Sequence, residues 1–183
     1  MPLLAETLVD EWLNRKGFFS IRGIKDGVDE MDLLGVRPTP GGLEGWHVEV
    51  QVSFRPIGYI AKLTKELQTK LNKKSTSVWS RPPEILDECV RAWIVHKFTH
   101  PNKVAARERA WPGIHWRHYF VHGVVKYEAE LAAIQAGGIT LVSLHQVLTD
   151  VCSRADAGSP GAAGTDLADI IDYYENRKPR NAA

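Results

Sequence analysis

The chain has 183 residues, of which 44% are hydrophobic and 25% are charged, and its formal net charge is +1. This length allows one substantial hydrophobic core and is short for two, so we predict a single domain over residues 1–152. No stretch approaches the roughly 20 apolar residues that cross a bilayer, and the first residues do not resemble a signal peptide. The two cysteines, Cys89 and Cys152, are too few for a disulfide framework and lack the paired spacing of a zinc site. We therefore expect a cytoplasmic protein with no membrane partner.

The charges are unevenly distributed along the chain. Residues 1–50 carry five basic and nine acidic side chains, residues 51–122 carry thirteen and five, and residues 123–183 carry five and eight. A basic middle beside an acidic N-terminal third suits an anionic ligand that lies near cation-binding carboxylates. The alternative is a set of solvated lysines on one surface helix.

The N-terminal half predicts a helix followed by an antiparallel meander. Apolar residues at helical spacing predict a helix over residues 3–16. Strands are predicted at 18–22, 31–36 and 46–54, separated by short turns rich in Gly, Pro and Asp.

The middle of the chain predicts mostly helix. Residues 57–74 place apolar side chains on one stripe and lysines elsewhere, which is typical of an amphipathic helix with a basic exposed face. We predict a short helix at 84–90, a fourth strand at 91–99 and another short helix around 104–110.

The last third predicts a strand, a helix and a second strand, at residues 118–125, 128–135 and 139–144. This order favours parallel pairing of the two strands. The C-terminal predictions are a flexible connector at 153–165, a helix at 166–177 and a disordered tail at 178–183.

One predicted strand carries two polar side chains on a single face. Residues 47–53 alternate strictly between valine and polar residues, so Glu49 and Gln51 project to the same side of a strand. A solvated edge strand would show the same alternation.

A carboxylate interrupts the preceding strand, which is otherwise apolar. Asp32 lies in the sequence Met-Asp-Leu-Leu-Gly-Val, and a short Pro/Gly-rich connection leads on to the Glu49 strand. A carboxylate on a mostly buried strand is costly unless it is paired or binds a cation. If the strands are neighbours, Asp32 and Glu49 should lie close together. Alternatively, Asp32 caps a turn or pairs with Arg22 or Arg37.

An Asp on one strand and Glu-x-Gln on the next resemble the motif of the PD-(D/E)xK superfamily of restriction-endonuclease-like nucleases, here Asp32…Glu49-Val50-Gln51. The resemblance covers about residues 3 to 100. It implies an α/β fold with a restriction-endonuclease-like core, in which helices flank a mixed central sheet. The predicted order of helix, three-strand meander, helix and strand is the order of that core. Glu6, on the first helix, resembles a helical glutamate that assists metal binding in the superfamily.

The sequence departs from this motif where the superfamily usually carries lysine and this chain has Gln51. Lysine there is expected to position the attacking water and to stabilise developing negative charge, whereas a neutral amide can only orient water. Some restriction enzymes of the superfamily carry Gln at that place. A second possibility is that Lys62 or Lys65 supplies the charge. The Pro that commonly precedes the Asp is also missing.

The resemblance implies hydrolysis of phosphodiester bonds. Asp32, Glu49 and the Val50 carbonyl would bind Mg²⁺, or Mn²⁺ in its place, with help from Glu6. The expected catalytic residues are Asp32, Glu49 and Gln51, with Lys62 and Lys65 as sources of positive charge. The expected phosphate-binding residues are Lys70, Lys73, Lys74 and Arg81.

The expected partner is nucleic acid, with DNA favoured over RNA, although no residue pattern separates the two. A homodimer is an expectation from the fold class, because cutting two strands needs two sites. A non-catalytic nucleic-acid-binding or scaffold module that keeps the nuclease fold is the main alternative, and Gln51 favours it. A third possibility, an unrelated α/β domain, would place Asp32 and Glu49 far apart.

Overall fold

The computed structural model of the protein describes residues 2–26, 29–53 and 55–152. The N-terminal elements are α1 (Pro2–Arg15), β1 (Phe19–Asp26), β2 (Asp29–Thr39) and β3 (Gly42–Gln51). The middle elements are α2 (Lys65–Leu71), α3 (Pro83–Ile94), a π-helical segment (Val95–Thr99) and α4 (Pro101–Ala110). The last described elements are β4 (Trp116–His122), α5 (Glu128–Ala136), β5 (Thr140–Ser143) and α6 (Leu144–Cys152).

The five strands form one mixed sheet in the order β1-β2-β3-β4-β5. The first three strands pair antiparallel, which confirms the predicted meander. β4 then pairs parallel to β3, and β5 pairs parallel to β4. The predicted parallel pairing in the last third is therefore confirmed, and the protein belongs to the α/β class with helices flanking its sheet.

Each face of the sheet is covered by a different set of helices. On one face, Trp12 and Leu13 of α1 and Val147 of α6 pack around Val48 of β3. On the other face, Phe120 of β4 packs with apolar residues of α2, α3, α5 and the π-helical segment. Because neighbouring positions on a strand point to opposite faces, β3 separates the two cores and can present polar side chains to the second.

The amphipathic helix predicted over residues 57–74 is wrong in its first half. Only Lys65–Leu71 is helical, and the Thr64 side chain caps its start by accepting from the Leu67 backbone nitrogen. Residues 57–64 run irregularly, and Ile60 and Ala61 are buried there. Their backbone N–H groups donate to the Glu130 carboxylate over 2.9 and 2.8 Å. This buried acceptor satisfies two backbone donors without a helix.

The strand predicted at 91–99 is also wrong. α3 runs to Ile94 and continues as the π-helical segment Val95–Thr99. The valine, isoleucine and phenylalanine in this stretch have high β propensity, but the helical spacing of Leu86, Val90 and Trp93 buries them in one core. Tertiary packing therefore overrides the local preference.

The remaining differences are smaller. α4 begins at Pro101, ahead of the predicted start, and β3 ends at Gln51 although the predicted strand ran to residue 54. We predicted no helix over Leu144–Cys152, where α6 covers the first face. The predicted connector, C-terminal helix and tail, residues 153–183, lie outside the described residues. No helix within the described part of the chain is long and apolar enough to span a membrane.

Candidate metal and catalytic site

β2 and β3 bring the two predicted carboxylates together. The antiparallel register pairs Leu33 with Val48, so the next step along the strands places Asp32 beside Glu49. Backbone pairing of the two strands ends there, and the Asp32 carboxylate instead accepts a 2.7 Å hydrogen bond from the Val50 backbone nitrogen. Asp32 and Glu49 therefore lie side by side in the fold.

The predicted alternation along β3 is confirmed in the structure. Val48 belongs to the α1 and α6 core and Val50 packs against it, whereas Glu49 faces the opposite side. Glu49 is only 1% exposed. An ionised carboxylate buried to this degree requires partners that offset the loss of hydration.

Glu49 has three such partners. The Lys97 ammonium lies 2.5 Å from Oε2, and the Lys103 ammonium lies 3.1 Å from Oε1. The His47 Nε2 atom is also 3.1 Å from Oε1. Both oxygens of Glu49 are therefore engaged by groups that stabilise negative charge.

His47 connects Glu49 to a second buried cation. Arg107 donates from NH1 to the His47 Nδ1 atom over 2.6 Å. Burial, and then the nearby positive charges led by Arg107, hold the pKa of His47 well below its usual value, so the ring is neutral. A neutral ring that accepts at Nδ1 carries its proton on Nε2, which then donates to Glu49.

Lys103 and Arg107 fix α4 against the sheet. Lys103 is 2% exposed and donates to the backbone oxygens of Glu30 and Lys97 over 2.6 and 3.1 Å. Arg107, also buried, donates to the Phe98 carbonyl over 2.8 Å. These bonds give both side chains a structural role in addition to their positive charge.

Asp32 occupies a different electrostatic environment from Glu49. Burial, and next the Glu49 carboxylate, raise the pKa of Asp32 to about 6, against the opposing effects of the Val50 hydrogen bond and Lys97. Neither predicted arginine partner pairs with it, because Arg22 lies 3.4 Å from Asp10 and Arg37 lies 2.8 Å from Glu44. Asp32 is thus a partly buried carboxyl group whose nearby positive charge does not offset the effects of burial and of Glu49.

Glu6 of α1 lies near the same group. Burial, and then the Asp32 and Glu30 carboxylates, raise its pKa above the usual value. The mutual repulsion of these acids is the electrostatic condition that a bound cation would relieve.

The donor chemistry at this place fits a hard divalent cation. Mg²⁺ prefers oxygen ligands and is commonly held by one or two protein carboxylates, with waters and substrate phosphates completing its coordination. Within the described ranges, no group of three or more His, Cys, Asp or Glu side chains converges on a single metal position. Asp32 and Glu49 are two carboxylates of the kind that Mg²⁺ accepts as protein ligands.

Within the described residues, neither predicted source of positive charge forms an ion pair with Glu49. Lys62 and Lys65 are exposed, and neither is among the groups that shift the pKa of Asp32 or Glu6. Gln51 ends β3, where it is half-buried, and within the described part of the chain its side-chain amide makes no hydrogen bond. Lys97, which sequence reasoning missed, occupies the position beside Glu49.

The predicted phosphate-binding residues do not form one group. Lys70, Lys73 and Lys74 are exposed at the end of α2 and just beyond it, whereas Arg81 is only 7% exposed. The Arg81 guanidinium lies 3.7 Å from the Tyr59 ring centre and donates to the Ala61 carbonyl over 2.6 Å. Arg81 therefore stabilises the irregular segment before α2 and does not belong to the exposed basic surface.

Comparison with known proteins places this chain in no characterised family. No protein-family model and no curated protein matches it. One solved structure, "Crystal Structure of Protein of Unknown Function AF1548", matches with a TM-score of 0.43 and 12% identity, over 96% of each chain. Similarity at this level supports no statement about function.

Proposed function

We propose that the protein is a metal-dependent nuclease that hydrolyses phosphodiester bonds in DNA. The observation that carries this proposal is the pair Asp32 and Glu49, brought together where β2 and β3 stop pairing, with the pKa of Asp32 raised to about 6. Strongly shifted titratable groups cluster at functional sites, because binding and catalysis require charges that folding alone would avoid.

The order of elements supports the restriction-endonuclease-like form of this proposal. The described part of the chain begins with a helix and an antiparallel meander. Further helices follow, and then a strand that pairs parallel to the third. The resembled superfamily has the same order, with its acidic residues on the second and third strands. Asp32 and Glu49 lie on β2 and β3.

The proposed reaction adds one water molecule across a P–O bond. The water oxygen bonds to phosphorus, the bond to the leaving oxygen breaks, and one proton of the water ends on that oxygen. Bound Mg²⁺ would make the water more acidic and offset the charge that develops on the phosphate. The ion would be held by Asp32, Glu49 and the Val50 carbonyl, with additional negative charge from Glu6. Gln51 would orient the attacking water.

The exposed lysines Lys70, Lys73 and Lys74 supply sequence-independent affinity in this proposal. Contacts between lysine and phosphate release condensed counterions, so the affinity falls steeply as salt is added. Such contacts fix the position of a duplex without reading its sequence.

One observation favours a non-catalytic nucleic-acid-binding module as a second candidate. Both oxygens of Glu49 are already bound by His47, Lys97 and Lys103. A module that had lost catalysis could retain this buried ion cluster for stability alone. The two candidates differ in whether divalent metal produces cleavage.

Cleavage assays test the proposal. Purified protein is incubated with supercoiled plasmid and labelled oligonucleotides in Mg²⁺, Mn²⁺ or chelator, alongside Asp32→Asn, Glu49→Gln and Asp87→Asn. Asp87 is an exposed acid of α3, so its variant is the matched control. We expect cleavage that requires metal and is lost in the first two variants only. Binding without any cleavage would favour the non-catalytic module.

A further inference from the structure

The resembled motif carries a lysine two positions after its Glu, and this chain has Gln51 there. We propose that Lys97 supplies the missing positive charge, acting beside the Asp32 and Glu49 site as the residue that stabilises the developing charge on phosphate. This inference rests on the proposed nuclease function and names a residue of that same site.

The π-helical segment explains how a residue beyond α3 reaches Glu49. Leu86, Val90 and Trp93 are buried at intervals of four and three, as an α-helix requires, but the next buried residue is Phe98, five positions later. The wider π turn lets Phe98 take the core position and leaves Lys97 beside it at the edge of the core. π turns of this kind frequently mark functional sites.

Lys97 differs from Lys103 in its freedom to contact a substrate. The Lys97 side chain is 28% exposed, and within the described residues its ammonium makes one hydrogen bond, to Glu49. The ammonium of Lys103 is held by two carbonyl oxygens as well as by Glu49. Only Lys97 could turn part of its hydrogen-bonding capacity towards an incoming phosphate.

The charge on Lys97 is secured by its neighbours. Burial by itself lowers the pKa of this amine, but the Glu49 carboxylate, and behind it Asp32 and Glu30, raise the pKa above its usual value. In this proposal the Lys97 ammonium, 2.5 Å from Glu49, stabilises charge on the phosphate without exchanging a proton. Its role is electrostatic, as a motif lysine's would be.

Relocation of the lysine makes a complementation test possible. Lys97→Met should reduce metal-dependent cleavage by about 100-fold or more, the scale found when one charge-stabilising group is removed. Gln51→Lys combined with Lys97→Met should restore at least about one tenth of the wild-type rate, because residue 51 shares a strand face with Glu49. Lys126→Met, on an exposed lysine far along the chain, is the control and should cut at the wild-type rate.

Mn²⁺ binding, measured by calorimetry without substrate, gives a second readout. Lys97→Met removes a positive charge that repels the metal ion and competes with it for Glu49. The affinity of this variant for Mn²⁺ should therefore be at least about threefold higher than that of wild type. A variant damaged in its fold would bind the ion less tightly. Lys97→Gln replaces it if the methionine variant does not fold.

Tighter Mn²⁺ binding together with lost and then restored cleavage would establish the inference. Full cleavage by Lys97→Met, or no restoration by Gln51→Lys, would overturn it while the nuclease proposal stands. If the wild-type protein itself cuts nothing, the proposed function fails and this inference fails with it.

Discussion

The Asp32 carboxylate accepts its 2.7 Å hydrogen bond from the backbone nitrogen of Val50, the residue that follows Glu49. This bond ties the two acids into one structural unit, yet their surroundings differ. Glu49 is neutralised by Lys97 and Lys103, whereas the pKa of Asp32 is raised to about 6 by burial and by Glu49. The same chemical substitution should therefore affect the two positions in opposite directions.

Asp32→Asn should stabilise the metal-free protein at neutral pH. The folded pKa of about 6 lies above the usual aspartate value of 3.8, so this group favours folding fully only below its unfolded pKa and loses that contribution as pH rises through 6. Asparagine cannot ionise and keeps an oxygen for the Val50 hydrogen bond. We expect a gain of about 2 kcal/mol at pH 7.5 in chelator, measured by urea unfolding, and little gain at pH 4. A loss of stability at pH 7.5 would contradict the assigned environment.

Glu49→Gln should destabilise the protein under the same conditions. The variant leaves the Lys97 and Lys103 ammonium groups beside a neutral amide, and Lys103 is almost fully buried. Removing one partner of a buried ion pair costs about 3–5 kcal/mol, and partial exposure of Lys97 places the expected loss at the lower end. Equal effects of Asp32→Asn and Glu49→Gln would show that the two carboxylates do not differ as described.

Divalent-cation affinity should rise with pH and level off above about 6. A carboxylate must lose its proton before it binds metal, and burial and Glu49 raise the pKa of Asp32 to about 6. Below that pH, the affinity for Mn²⁺ should increase by up to about tenfold per pH unit, measured by calorimetry between pH 5 and 7.5. The Asp32→Asn variant provides the comparison, because its weaker affinity should lack this step. If the affinity of wild type for Mn²⁺ does not change with pH, Asp32 is not a ligand of the metal ion.

The order of most elements could be predicted because their patterns are local. The first helix, the meander and the strand–helix–strand unit each show clear periodicity and turn signals, and all are present. The same reasoning predicted the wrong structure for residues 57–64 and 91–99. In the first case a buried carboxylate distant in sequence, Glu130, takes the backbone donors, and in the second packing overrides β propensity.

The site was predicted only as far as it lies on neighbouring strands. Asp32 and Glu49 could be paired from a short connection, but Lys97 and Lys103 reach Glu49 through a π turn and a separate helix. Nothing in a single sequence distinguishes such lysines from solvated ones. A weak signal existed on α4, where Lys103 and Arg107 share a helical face with Ala106, and all three are buried.

Replacing Lys70, Lys73 and Lys74 together by alanine should weaken DNA binding and reduce its salt dependence. Each phosphate contact on duplex DNA adds about 0.9 to the steepness with which log affinity falls against log salt. Losing three contacts should therefore make the slope shallower by about 2.7. Fluorescence anisotropy at several salt concentrations measures this slope. Arg81→Met is the comparison, because its buried guanidinium makes internal contacts; it should lower stability and leave the slope unchanged. An unchanged slope in the triple variant would show that the lysines of α2 and just beyond it do not contact DNA.

Gly123→Ala should disturb the end of β3 near Gln51. The Gly123 nitrogen donates to the Gln51 carbonyl over 3.2 Å, and a β-carbon at residue 123 would meet the backbone nitrogen and oxygen of Ser53 at 2.9 Å. Backbone atoms cannot rotate away as a side-chain tip can, so the two strand ends must separate. We expect a loss of about 1–3 kcal/mol in urea unfolding, the usual cost of forcing atoms into a packed place. Gly41→Ala is the matched control, since no atom lies within 4 Å of its added carbon. If both variants unfold at the same urea concentration as wild type, the close approach of Gly123 to Ser53 does not exist in solution.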